Sequence, residues 1–148
     1  MKQSLMRTAP IFFGIAAIVA CGSDSTAPTA TVAGSYQASE FVTTGSSGIT
    51  NHILAGSTLF LTLSGNGTLS GHLHMVATSS NSALDADMAG TWVQTGSAVN
   101  FSQPAVDTFV ENITFAVVAN GNLWQLKGNR AFSGTDIKIT LNQLSSID

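Results

Sequence analysis

The stretch that decides the fold is 57-STLFLTLSGNGTLSGHLHM-75, where apolar side chains occupy every second position on both sides of a glycine-rich turn. A period of two places alternate side chains on the same face of a β-strand. The central Asn66-Gly67 pair suits the positive φ angles of a tight hairpin turn. The sequence therefore predicts a β-hairpin from about 57 to 77, with its buried face formed by Leu59, Leu61, Leu63, Leu69, Leu73 and Met75.

The same alternation recurs along the chain and predicts six more strands, at 35–44, 91–94, 98–101, 112–118, 122–127 and 136–141. No helical pattern of comparable length lies between them. Eight short antiparallel strands in hairpin succession form either a meander barrel or a β-sandwich. Closure removes exposed strand edges. We therefore predict an all-β antiparallel barrel, with the sandwich as the alternative.

Residues 1–20 have the pattern of an export signal. Lys2 and Arg7 precede an apolar run at 11–20, which is too short to span a bilayer core of about 20 helical residues. A charged start, a short apolar segment and small residues at its exit are typical of a secretory signal peptide, which is removed from the mature protein.

The exit from the apolar run reads Ile18-Val19-Ala20-Cys21, which resembles the lipobox of bacterial lipoproteins. The resemblance implies cleavage between Ala20 and Cys21, diacylglycerol on the Cys21 sulfur and usually a third acyl chain on the new amino terminus. In the sorting logic of that family, Gly22 in place of aspartate favours the outer membrane. The alternative is an ordinary signal peptide in which Cys21 is incidental.

The chain divides into a signal peptide at 1–20, a lipidated cysteine with a flexible tether at 21–33, and one domain at 34–148. The tether is small and polar, so it cannot form a core, and its root-mean-square reach is about 20 Å. Without the leader, three basic side chains remain against eight acidic ones, a net charge of about −5. This balance provides no basic stripe for binding nucleic acid.

Two segments of the domain are similar, Ala33-Gly34-Ser35-Tyr36 and Ala89-Gly90-Thr91-Trp92. Both fit ordinary strand starts, in which a glycine lets an aromatic ring pack across the end of the core. The first also resembles the opening of lipocalin-like domains, whose first strand carries Gly-x-Trp and whose barrel end is often closed by an arginine before the last strand. This resemblance implies that Arg130 stacks on Tyr36.

An eight-stranded barrel is just wide enough to be filled by side chains or to hold one small ligand. The bulky apolar residues of the predicted strands can fill it. If a pocket forms instead, its candidate wall residues are Met75, Trp92, Phe115 and Trp124. Two functions stay open: an envelope lipoprotein that binds a small apolar ligand, and a non-catalytic structural or protein-interaction lipoprotein with a solid barrel.

The sequence shows no nucleophile elbow, phosphate loop or paired glutamates. His72 and His74 share one strand face, with Asp85 and Asp87 further along, but metal sites generally need three or four ligands and an oriented second shell. We therefore expect exposed histidines and predict no catalytic residue, metal or cofactor. The segments 45–56 and 78–88 are predicted to be exposed loops where a partner protein would bind.

Overall fold

The computed structural model describes residues 31–79, 82–103, 113–132 and 134–145. Ala20 and Cys21 therefore lie outside the described residues. In the described segments, no helix is long and apolar enough to cross a membrane. These segments contain ten strands: β1 (Gly34–Gly45), β2 (Gly48–Asn51), β3 (Thr58–Leu63), β4 (Thr68–Met75), β5 (Leu84–Asp87), β6 (Gly90–Thr95), β7 (Ala98–Ser102), β8 (Thr114–Asn120), β9 (Leu123–Phe132) and β10 (Thr135–Gln143).

Eight of these strands form a closed antiparallel barrel in the order β1-β3-β4-β6-β7-β8-β9-β10, and β10 pairs back onto β1. The other two strands are additions at its edges, because β2 pairs with β1 and β5 pairs with β4. The all-β barrel prediction is confirmed, and the closure excludes the sandwich. The predicted eight strands are the eight strands of the barrel.

The barrel closes through the pairing of its first and last strands. The register between β1 and β10 shifts between Ala38 and Glu40, and such a bulge bends a strand and increases its twist. On the outside of this seam, Lys138 Nζ lies 2.7 Å from Glu40 Oε1, and Thr140 Oγ1 donates a hydrogen bond of 2.8 Å to Glu40 Oε2. The contacts with Lys138 and Thr140 lower the pKa of Glu40.

The barrel interior is a single apolar core to which all eight barrel strands contribute. The alternation predicted for β3 is observed, since Leu59, Leu61 and Leu63 are at most 1% exposed whereas Phe60 is 40% exposed. The other core side chains of the barrel strands are Tyr36, Ala38, Phe41, Leu69, Leu73, Met75, Trp92, Val99, Phe101, Phe115, Leu126, Ile139 and Leu141.

Gly128 occupies one of the inward positions of the barrel that require a glycine. Gly128 on β9 lies opposite Phe115 on β8. A Cβ atom on Gly128 would lie 2.8 Å from the Phe115 ring and 2.5 Å from Ile113 Cγ2, closer than packed carbon atoms approach. The missing side chain makes room for Phe115, whose ring centroid lies 5.0 Å from that of Phe101.

The two ends of the barrel differ. The tight turns at 64–67, 96–97 and 121–122 lie at the end where the described chain enters β1, which we call the hairpin end. The connection at 52–57 and the described residues 76–79 lie at the opposite end, which we call the loop end. At the hairpin end, Tyr36 pairs with Gln143, so the start of β1 and the end of β10 are neighbours.

The structure corrects two predicted loops. The segment predicted as a loop at 45–56 contains β2, and the one at 78–88 contains β5. β2 pairs with Val42–Gly45, beyond the part of β1 that β3 covers. β5 pairs with the part of β4 that β6 leaves uncovered. β2 and β5 can form because β1 extends beyond β3 and β4 extends beyond β6, which leaves free edges for pairing.

The structure also corrects the start of the folded domain, which was predicted at 34. Val32 is fully buried and belongs to the core cluster. Its N–H donates a hydrogen bond of 3.3 Å to Gln94 Oε1, and its carbonyl accepts one of 2.6 Å from the Tyr36 hydroxyl. The last residues of the predicted tether are therefore packed against the hairpin end of the barrel.

Candidate functional site

Strands β4 and β5 bring four titratable side chains together on the outside of the barrel. His72 pairs with Asp87, and His74 pairs with Asp85. Both the His-Leu-His and the Asp-Ala-Asp segments have a period of two, so the intervening Leu73 faces the core and is fully buried. The side chains of His72 and His74 are 49% and 44% exposed, as the alternation of β4 predicts.

These four residues, His72, His74, Asp85 and Asp87, form a continuous chain of contacts that we call the His-Asp cluster. His72 Nε2 lies 2.6 Å from Asp85 Oδ1, and His72 Nδ1 lies 3.1 Å from Asp87 Oδ1. His74 Nδ1 lies 2.9 Å from the second oxygen of Asp85. Asp85 therefore bridges the two histidines, and His72 bridges the two aspartates.

The contacts of the His-Asp cluster favour the charged forms of His72 and Asp85. Hydrogen bonds that His72 donates to Asp87 and Asp85 raise the pKa of His72 above its ordinary value. Hydrogen bonds from His74 and His72 lower the pKa of Asp85. All four side chains reach solvent, so water and salt screen these interactions.

Among the described residues, no three histidine, cysteine, aspartate or glutamate side chains are arranged to hold a metal ion. In the His-Asp cluster, imidazole nitrogens and carboxylate oxygens satisfy one another at hydrogen-bond distance instead of surrounding a common point. The cluster can therefore share protons between the ring nitrogens of β4 and the carboxylate oxygens of β5 without a metal ion. That the chain uses no metal or cofactor stays a prediction.

His52, which follows β2, is a buried histidine that the sequence does not mark. Its ring is fully buried, with its centroid 4.4 Å from that of Phe41, and its Nε2 lies 2.9 Å from Thr43 Oγ1. Its Nδ1 has no hydrogen-bond partner among the described residues. Burial lowers the pKa of His52, which favours the neutral ring. No sequence signal marked it, because it lies in a segment predicted as a loop.

The structure separates the two residues predicted to close the barrel. Tyr36 lies in the core near the hairpin end, where burial raises its pKa to about 12. Arg130 pairs with Ile137, which pairs with Thr43 near the loop end. Thr43 lies seven positions along β1 from Tyr36, which corresponds to roughly 20 Å at ~3.3 Å per residue. The predicted stacking of Arg130 on Tyr36 is therefore wrong.

The four predicted pocket residues share none of three grooves that the described residues line. Met75, Trp92 and Phe115 belong to the buried core, and Trp124 is half-buried against it. Trp92 donates a hydrogen bond of 2.9 Å from Nε1 to the Ser64 carbonyl. It also lines a groove of about 390 Å³ at the hairpin end. Among the described residues, the other three line neither this groove nor the grooves of about 400 and 430 Å³.

No protein-family model matches this chain, and a search of curated proteins found no significant match.

Proposed function

We propose that this chain is a lipid-anchored protein of the bacterial cell envelope, without catalytic activity, that acts by binding other envelope components through the outer surface of a filled barrel. The observation that carries this proposal is the core, in which inward side chains from all eight barrel strands form one buried cluster. Two of the predicted pocket residues, Phe115 and Met75, are only 0% and 9% exposed there. Such packing favours a solid scaffold whose surface carries recognition.

The proposed anchor is Cys21, acylated after cleavage from Ala20. Each buried methylene contributes about 0.8 kcal/mol, and one myristoyl chain alone binds a membrane only marginally. Two or three chains on Cys21 would hold the protein firmly. Gly22 after the cysteine supports delivery to the outer membrane.

The contacts of Val32 support one orientation of the anchored domain. Because Val32 is packed at the hairpin end, the tether from Cys21 leaves the barrel there. The hairpin end then faces the anchoring bilayer, and the loop end faces away from it. A partner protein would meet the loop end, where Ile49 and Leu54 are 75% and 85% exposed.

Mass spectrometry of the protein extracted from membranes tests the anchor. We expect a chain that begins at Cys21 and carries the added mass of two or three acyl chains. The Cys21→Ser variant should lack this mass and remain unprocessed by the lipoprotein signal peptidase. If this variant is processed normally and partitions with membranes as before, the proposed anchor is wrong.

Thermal unfolding of the full chain with and without a lipid extract tests the filled barrel. A ligand present at 100 times its dissociation constant stabilises a protein by about 2.7 kcal/mol, so a bound lipid would raise the midpoint measurably. We expect no shift beyond that of a buffer control. A reproducible shift would instead support the second candidate, a lipocalin-like barrel holding a small apolar ligand near Met75, Trp92, Phe115 and Trp124.

A further inference from the structure

Strand β5 is weakly held by apolar contacts. Within the described part of the chain it pairs with β4 alone, through four residue pairs from His72↔Asp87 to Met75↔Leu84. Leu84 is 44% exposed, and Ala86 is half-buried. The strand is therefore held by its backbone ladder and by the His-Asp cluster on its outer face, and its end is fixed by the next residue, Met88, which is buried and donates a hydrogen bond of 2.9 Å to the Gly71 carbonyl.

The geometry of the His-Asp cluster fixes the number of protons that it needs. A carboxylate only accepts hydrogen bonds, so each ring nitrogen that faces one must carry a proton. Both nitrogens of His72 face carboxylates, Nε2 that of Asp85 and Nδ1 that of Asp87. His72 can satisfy both only as the imidazolium. His74 makes one such contact, which the neutral ring also satisfies.

We propose that β5 is a proton-dependent strap, which lies on β4 while His72 is an imidazolium and detaches when His72 loses a proton. A neutral His72 would turn a nitrogen lone pair toward a carboxylate oxygen, and this contact is repulsive. Detachment exposes the backbone edge of β4 from His72 to Met75. The strap depends on neither lipidation nor the proposed function.

The charges around His72 set the direction of the pH response. The facing titratable groups are His74 on β4 and Asp85 and Asp87 on β5, while the cross-strand neighbours on β3, Thr58 and Phe60, carry no charge. The pKa of His72 is raised, so its contribution to stability is complete below the ordinary histidine value and is lost as the pH rises through the folded-state value. The strap is closed in mildly acidic solution and open in alkaline solution.

Amide hydrogen exchange of the full chain tests the strap. Protection of the β5 amides is measured at about pH 5.5 and about pH 8.5, corrected for intrinsic exchange rates, with β3 as the internal reference. We expect protection of β5 to fall several-fold relative to β3 at the higher pH. Equal relative protection at both pH values would overturn the proposal.

Two variants separate the proton requirement from a purely structural role. In an Asp87→Asn chain the new side-chain amide can either donate to His72 or accept from it, so β5 should stay protected at both pH values. His74→Gln is the matched control, because it removes a contact that needs no second proton. The His74→Gln change should lower the protection of the β5 amides at both pH values and leave the ratio of protection between the two pH values unchanged. An Asp87→Asn chain with the wild-type pH response would also overturn the proposal.

Discussion

His52 and His72 are two histidines that lie in opposite surroundings. His52 is buried against Phe41 and Thr43, whereas His72 lies exposed between two carboxylates. Burial without a counter-charge favours the neutral ring, and nearby carboxylates favour the imidazolium. Folding therefore lowers the pKa of His52 and raises that of His72. The two residues contribute opposite slopes to the dependence of stability on pH.

We expect replacement of His52 to remove its contribution to the dependence of stability on pH. Because the pKa of His52 is lowered from 6.5, the unfolded chain binds more protons, and stability falls as the pH drops below about 6.5. Each pKa unit between the unfolded and the folded state changes the free energy of unfolding by about 1.4 kcal/mol. Urea unfolding at about pH 7.5 and about pH 5.5 should show a smaller loss for His52→Phe than for the wild type.

The comparison between these two chains isolates His52. His72 is present in both, so its opposite contribution cancels in the difference. The absolute stability of His52→Phe also changes because Thr43 loses a hydrogen-bond partner. The test is therefore the change with pH in each chain, and parallel profiles would contradict the prediction.

At the scale of the elements, the alternation of side chains predicted the barrel strands because each has one buried and one exposed face. Strand β3 is the clearest example, with Leu59, Leu61 and Leu63 inside and Phe60 outside. β2 and β5 have only four residues each, too few for a period to be distinguished from a loop. Their pairing depends on how far β1 and β4 extend beyond their barrel neighbours, and this is a property of the assembled sheet.

The candidate site was less predictable than the strands. The shared period of His72-Leu73-His74 and Asp85-Ala86-Asp87 indicates two outward-facing pairs, but the period does not specify the register that brings the pairs together. Arg130 was placed at the wrong end because the order of residues in a sequence does not specify their height on the barrel. The register of β1, β9 and β10 specifies it.

The contact between Tyr36 and Val32 joins the entering chain to the barrel, and its removal should be costly. The Tyr36 hydroxyl is the buried donor to the Val32 carbonyl. In Tyr36→Phe this carbonyl loses that donor, so we expect a loss of about 1–3 kcal/mol in urea unfolding. Hydrogen exchange at Val32 and Ala33 should also become faster.

Ser35→Ala is the matched control for this change at the neighbouring position. Ser35 Oγ is exposed and lies 3.4 Å from Thr62 Oγ1, so its removal should alter stability by less than about 0.5 kcal/mol. If Tyr36→Phe is as stable as Ser35→Ala, the hydroxyl does not hold the entering chain.

At the scale of the whole molecule, the barrel depends on a pairing between its two ends in sequence. β1 and β10 pair over most of their length, and Thr140 donates a hydrogen bond to Glu40, 100 residues away along the chain. Ile139 and Leu141 on β10 are fully buried in the core. Closing so long a loop has an entropic cost that only the complete core offsets. We therefore expect the barrel to unfold as one cooperative unit.

Removal of the last strand tests this cooperativity. A chain that ends at Gly134 lacks β10, leaves β1 and β9 with open edges and loses Ile139 and Leu141 from the core. Burial of one such side chain contributes about 1.5–3 kcal/mol, against a total stability of about 5–15 kcal/mol for a typical domain. We expect the truncated chain to show no sigmoidal unfolding in urea, followed by tryptophan fluorescence, whereas a chain ending at Ser145 keeps the transition. A cooperative transition in the truncated chain would mean that seven strands form a stable open sheet. The fold would then not require closure by β10.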